Sequence, residues 1–387
     1  MPNPRFKPLP FGIGRSVDSL HREDERGILY FMDYTADYYL LERFADKIAA
    51  TPGCSTFLTD NLNGQKLFCR NYDFSHYRFN KQGEPKDITG LVIVVRCANP
   101  RAKYKSIGTV DGFWLDFNKG RFFAGAPDDG ITDITLLAAA PLAIMDGMNE
   151  KGLAVSIMHL PTENEWKECE SIDYDSLSPE EQKLVVLLDS AGEEPKRLDA
   201  HVKKNAVAIN RADGRCWRVN KNFAVNQQTP GKKTLLHPIL MRRMLDCAAN
   251  VEEAIALAKK YNIKSPMPDN DYHILVSDRS GNSVMLEWVE NILKITKICH
   301  GTNFYLARED HYGYGYERDE ILSACLNKYK NGMNDNMAME VLQLASQNSP
   351  EGSDVGFTQW SGVYNLDELT MKLSVFMDYG KQYEYRI

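Results

Sequence analysis

The sequence contains no run of 18 or more apolar residues, which excludes a conventional membrane-spanning helix. It has no C-x-x-C pair. Its eight cysteines, at 54, 69, 97, 169, 216, 247, 299 and 325, do not combine with histidine at zinc-type spacing. Cysteines scattered in this way are expected to be reduced and mostly buried, as in a cytoplasmic protein, and they imply no metal. Positive charge is not in excess. With 46 Lys and Arg against 53 Asp and Glu the net charge is −7, so neither nucleic acid nor an anionic membrane is an expected partner. The opening MPNPRFKPLPFGIGRS has no apolar core of a secretory signal. P-loop, H-E-x-x-H and G-x-S-x-G motifs are missing, and Gly12-Ile13-Gly14 is not set between a strand and a helix. No nucleotide or other cofactor is implied.

What remains is ordinary for a globular chain: 387 residues, 43% hydrophobic and 26% charged. Residues 1–16 are rich in proline and glycine and read as irregular. A strand is expected at 28–34 and a helix at 35–50, capped by Thr35 or Asp37 and ended by Thr51-Pro52-Gly53. From Cys54 the pattern turns to strands. Cys54–Asp60 and Gln65–Phe74 flank Asn61-Leu62-Asn63-Gly64, and Asn-Gly is a strong hairpin signal. Further strands are expected at 91–97, 109–116 and 121–125, and a second hairpin turns at Asn149–Gly152. Residues 162–231, the most polar stretch, read as an insertion. Helices are expected at 237–261, 316–328 and 335–347. Strands are expected at 273–278, 283–289, 292–299 and over 358–386. Strands, then helices, then strands point to an α+β fold of antiparallel sheets covered by helices.

The first hairpin gathers reactive groups. Taking Asn63-Gly64 as a two-residue turn, paired positions add to 127 and Cys54 faces Asp73. Facing residues lie ~4.5–5.5 Å apart, so Asp73 would stand beside Cys54. Arg70, three residues away, would fall on the opposite face and need a bulge to reach the thiol. A cut before Cys54 would give one residue both a thiol and a free α-amine. The permanent charge of Arg70 would lower the thiol's pKa. An α-amine, with pKa ~7.7–8.0, is a suitable general base near neutrality. Nucleophile and base on one terminal residue is an established arrangement for amide chemistry.

The run GCSTF…GQKLFCRNYDF resembles the start of the choloylglycine hydrolase family of N-terminal-nucleophile hydrolases, which act on linear amides. DGMNEKGLAVSIMHLP (146–161), HILVSDRSGNSVMLEW (273–288), Gly301-Thr302-Asn303 and Glu317-Arg318 are similar to later blocks of that family, in the same order. The resemblance implies a four-layer αββα sandwich, with residues 1–53 a pro-segment and 54–387 the working domain. It implies Cys54 as nucleophile, Asp73 on its α-amine, Arg70 on its thiol, Asn303 in the oxyanion hole and Arg318 balancing charge. The expected substrate is a small N-acyl amide: a conjugated bile salt, penicillin V, an N-acyl amino acid or an N-acylethanolamine. A homo-oligomer is also implied. One departure stands out. Where many bile salt hydrolases carry a second oxyanion Asn, this chain has His159, a candidate substrate-binding residue or a core histidine. Two other readings stay open: a Cys–His hydrolase using an internal Cys54 with His159 as base, and an uncut, non-enzymatic binding relative. Cys69 and His300 read as structural.

Overall fold

The computed structural model describes residues 11–47, 53–74, 77–79, 85–87, 92–115, 134–162, 164–195, 206–221, 224–266, 270–348 and 357–387. The chain divides into two units, one of residues 1–160, 225–266 and 272–387, the other of 161–224 with 267–271.

The larger unit rests on two sheets. The six-stranded sheet is antiparallel throughout, in the order His300–Gly301, Gly53–Asp60, Lys66–Phe74, Phe357–Asn365, Thr370–Val375, Tyr383–Arg386. The nine-stranded sheet runs His21–Arg22, Leu29–Tyr34, Val92–Cys97, Ser106–Asp111, Ile144–Asn149, Leu153–Pro161, Asn270–Asp278, Ser283–Val289, Ile292–Lys297. Within it, Leu29–Tyr34 pairs in parallel with Val92–Cys97.

Side-chain alternation along Lys66–Phe74 sets the layers. Leu67 and Cys69 join Phe57 and Val363 against Leu322, Ala338, Val341 and Leu342 of the helices Tyr316–Lys328 and Asp335–Leu344. Arg70 and Tyr72 point the other way, into the nine-stranded sheet. The Tyr72 hydroxyl donates to Asp111 at 2.9 Å, and the ring stacks on Trp360 at 3.9 Å. On the far side of the nine-stranded sheet lies helix His237–Cys247. There Asn149 Nδ2 donates to the Leu245 and Ala248 carbonyls at 2.9 and 2.8 Å. Helix, sheet, sheet, helix is the expected four-layer αββα arrangement.

Several local expectations change. Residues 11–18 are helical, with Ile13 and Val17 buried, because the prolines of the opening stop at Pro10 and leave an apolar face free. The helix expected at 35–50 is a 3₁₀ segment, Tyr38–Lys47, entered where Asp37 accepts from the Tyr39 amide at 2.9 Å. The strand expected at 109–116 is Ser106–Asp111, followed by a 3₁₀ turn at Gly112–Leu115; the one at 121–125 lies outside the described residues. The helix expected at 237–261 is broken after Cys247. A second helix, Val251–Ala258, starts where Asn250 accepts from the Glu253 amide at 2.9 Å.

The segment ahead of Cys54 is part of the larger unit's core. Leu29, Met32 and Tyr34 are fully buried. Tyr34 donates to the Ala138 carbonyl at 2.8 Å, and Tyr38 and Tyr39 donate to the two carboxylate oxygens of Asp246 at 2.6 and 2.8 Å. The smaller unit holds a four-stranded sheet, in the order Asn164–Cys169, Cys216–Lys221, Val207–Asn210, Val185–Leu188.

Candidate active site

The hairpin that carries Cys54 closes through a three-residue loop. The Asn61 amide donates to the Gln65 carbonyl at 2.7 Å, the Gly64 amide donates back to the Asn61 carbonyl at 3.0 Å, and Gly64 takes φ +80°. A glycine at that left-handed position is what such a loop requires. The extra loop residue shifts the register by one. Paired positions add to 126, so Gly53 faces Asp73, Cys54 faces Tyr72 and Thr56 faces Arg70. A one-residue slip exchanges the faces of a strand. Arg70 therefore shares a face with Cys54 and needs no bulge, whereas Asp73 points to the helix layer. Both are corrections to the two-residue-turn reading.

Three atoms of Cys54 are each engaged. Arg70 Nη2 donates to the thiol Sγ at 2.8 Å. The Cys54 amide donates to Asn303 Oδ1 at 3.0 Å. Arg318 Nη1 donates to the Cys54 carbonyl at 2.9 Å. The residue is fully buried, and burial pushes its thiol up to about 12, against the opposing pull of Arg70.

The supporting side chains interlock. Arg318 Nη1 also meets Asp73 Oδ2 at 3.0 Å, and its Nη2 donates to Asn303 Oδ1 at 2.8 Å. Arg318 sits in the first turn of its helix behind Gly315, whose φ is +84°. A Cβ on Gly315 would lie 2.5 Å from Arg318 Nη2, so the site needs glycine there twice over. Asp73 Oδ1 accepts from Thr358 Oγ1 at 2.5 Å. Burial raises the Asp73 carboxyl, with Arg318 and Thr358 opposing the rise. Asn303 Nδ2 donates to the His159 carbonyl at 2.8 Å. Two donors on its oxygen and one acceptor on its nitrogen fix the orientation of the Asn303 amide. The strand end bearing Asn303 is pinned in turn. The buried His273 spans Glu287 at 2.9 Å and the Thr302 carbonyl at 2.7 Å, and Glu287 accepts from the Leu306 and Ala307 amides at 2.9 and 2.7 Å.

All five expected catalytic positions, Cys54, Arg70, Asp73, Asn303 and Arg318, are thus brought together. His159 joins through its backbone carbonyl, while its ring nitrogen Nδ1 lies 2.9 Å from the Tyr314 hydroxyl. Sequence reasoning missed Thr358, Ser156 and Asp146. The last two face Arg70: Ser156 Oγ and the Ile157 carbonyl accept from Nη1, the latter at 2.6 Å, and Asp146 Oδ2 lies 3.0 Å from Nε. Asp146 stood inside the quoted DGMNEKGL run, but nothing in its spacing marked it. Among the described residues, no group of three or more His, Cys, Asp or Glu is placed to hold a metal ion, and no helix is long and apolar enough to cross a membrane.

No family model matches the sequence, and no curated protein matches it. Among solved structures, the chain is similar to a mutant of the conjugated bile acid hydrolase from Clostridium perfringens, with TM-score 0.46, 14% identity and coverage of 86% of this chain and 92% of that one. It is also similar to penicillin V acylase from Agrobacterium tumefaciens, with TM-score 0.42, 14% identity and coverage of 83% of each chain.

Proposed function

We propose that the chain is a thiol amidohydrolase of the N-terminal-nucleophile type, akin to the choloylglycine hydrolases, activated by a cut between Gly53 and Cys54. The observation that carries this reading is the engagement of one cysteine through its Sγ, N and O atoms by Arg70, Asn303 and Arg318. A structural thiol has no use for a guanidinium 2.8 Å away, and burying that cation is costly unless it is paired.

Activation starts with the Cys54 thiol attacking the Gly53 carbonyl carbon. The peptide C–N bond breaks, leaving Gly53 as a thioester on Cys54 Sγ and a free Cys54 amine. Water then hydrolyses the thioester, releasing Gly53 as a carboxylate. In the uncut chain the thiol is held protonated by burial, and the neighbouring nitrogen is a nonbasic amide. After the cut that nitrogen becomes a base with pKa ~7.7–8.0, positioned by Asn303 Oδ1.

In turnover the α-amine takes the thiol proton. The thiolate attacks the substrate's amide carbon, and the oxyanion is stabilised by the remaining Asn303 N–H and by backbone amides, a contribution worth ~10²–10³ in rate per donor. The α-ammonium returns its proton to the leaving nitrogen, so the amine departs and an acyl thioester remains. Water, deprotonated by the α-amine, cleaves that thioester and frees the acid. Arg318 keeps the Asp73–Asn303 pair in register with the terminal residue. The substrate is a linear N-acyl amide of a small molecule. The test is a hydrolysis panel of conjugated bile salts, penicillin V, N-acyl amino acids and N-acylethanolamines. Turnover of at least one class by the wild-type chain, abolished in Cys54→Ala, is expected. Undiminished turnover by Cys54→Ala refutes the nucleophile.

A further inference from the structure

Between the two sheets lies a polar row that the proposed chemistry does not use directly. Thr109, Asp146 and Ser156 are register partners across three adjacent strands of the nine-stranded sheet. All three are buried and face the six-stranded sheet. Arg70 lies over this row: its Nη1 donates to Ser156 Oγ and to the Ile157 carbonyl, its Nε sits 3.0 Å from Asp146 Oδ2, and its Nη2 reaches Cys54 Sγ.

Asp146 is itself held from both sheets. Thr109 Oγ1 donates to Oδ1 at 2.6 Å, the Tyr364 hydroxyl donates to the same oxygen, and Trp360 Nε1 donates to Oδ2 at 3.1 Å. Three hydrogen-bond donors and one guanidinium thus converge on a carboxylate that offers about four lone-pair sites. An amide in its place would turn an NH₂ group toward donors. The Nη1 side of Arg70 is taken by Ser156 and the Ile157 carbonyl, and its Nε faces Asp146 as an ion pair without a formed hydrogen bond, which leaves the Nη2 side for Cys54.

We propose that Asp146 is a positioning residue that fixes the Arg70 guanidinium so that its free edge meets the Cys54 thiol. The inference rests on the proposed function for the identity of the nucleophile. The coupling of Asp146 to the thiol through Arg70 can be read without turnover.

The experiment compares the uncut-chain reactivity of Cys54 and Cys69 toward methyl methanethiosulfonate, with each site quantified by peptide mass spectrometry. Cys69 is the internal control. It is fully buried on the same strand as Arg70 but faces the helices. Arg70→Gln, Asp146→Asn, their double variant and the wild-type sequence are measured, all in a background with Gly53→Val to slow the cut. In Asp146→Asn the rate at Cys54 relative to Cys69 falls at least threefold, and in the Arg70→Gln background Asp146→Asn adds no further change. Tyr364→Phe, which removes a single donor and keeps the ring, moves the ratio in the same direction by a smaller factor and serves if Asp146→Asn does not fold. The inference is overturned by an unchanged ratio, by both thiols speeding up together (simple loosening) or by Cys54 alone speeding up, since Asp146 would then act only as a counter-charge. A chain with the expected ratios that hydrolyses no amide sinks the proposed function and leaves the positioning role standing.

Discussion

Arg70 faces Thr56 across the hairpin ladder, yet its Nη2 lies 2.8 Å from the sulfur of Cys54, one same-face position along the partner strand. The side chain reaches along the strand and is braced from the opposite sheet while it does so. Lysine keeps the charge but not the planar fork. Arg70→Lys is therefore expected to lower kcat by about tenfold or more, the factor that goes with one unit of thiol pKa. The KM should change little. Steady-state kinetics across pH read the effect, and an unchanged kcat would detach Arg70 from the chemistry.

Asn303 joins Cys54 N, Arg318 and the His159 carbonyl through one amide. Asn303→Ala removes an oxyanion donor and leaves Arg318 Nη2 without that acceptor. We expect kcat to fall ~10²–10³-fold. A loss confined to KM would assign Asn303 to substrate binding instead.

That Arg70 and Asp73 lie on the hairpin that carries Cys54 was legible in the strand and turn pattern, whereas Asn303 and Arg318 were pointed to only by the resemblance to the choloylglycine hydrolases. The register was not legible. Asn63-Gly64 fits both a two-residue and a three-residue loop, and only the left-handed Gly64 with Asn61 facing Gln65 decides between them. That single residue moved Asp73 from beside Cys54 to the helix layer and brought Arg70 onto its face. Asp146 was illegible for a different reason. Its partners come from two other strands, Thr109 from Ser106–Asp111 and both Trp360 and Tyr364 from the distant Phe357–Asn365, and no local pattern foretells their meeting.

The segment ahead of Cys54 is expected to stay bound after the cut. Besides Ala36, nine larger apolar residues among those described in 11–47 are buried: Ile13, Val17, Ile28, Leu29, Tyr30, Phe31, Met32, Tyr34 and Tyr38. At ~1.5–3 kcal/mol each, their gross burial is worth roughly 14–27 kcal/mol. Most of that range exceeds the ~4–15 kcal/mol cost of holding two chains together. The two pieces should elute together in gel filtration at neutral pH and part only in denaturant. Separate elution of the small piece would contradict the core placement of Leu29–Tyr34.

Acid should weaken the fold through His237. Burial pushes this imidazole down from 6.5 to about 3. Below pH 6.5 the unfolded chain binds a proton that the folded chain does not take until about pH 3. The contribution is therefore complete above pH 6.5 and is lost progressively as pH falls toward 3. Urea midpoints at pH 7 and pH 4.5 measure it. His237→Phe is expected to reduce the drop between the two, and an identical drop would place the acid sensitivity elsewhere.

The central claim is that residue 54 becomes the first residue of the working enzyme. N-terminal sequencing of the purified protein, together with its intact mass, tests it most directly. Two chains are expected in the wild type, one beginning at Cys54 and one ending at Gly53, and a single uncut chain without activity in Cys54→Ala. An uncut wild-type chain that hydrolyses amides would contradict it.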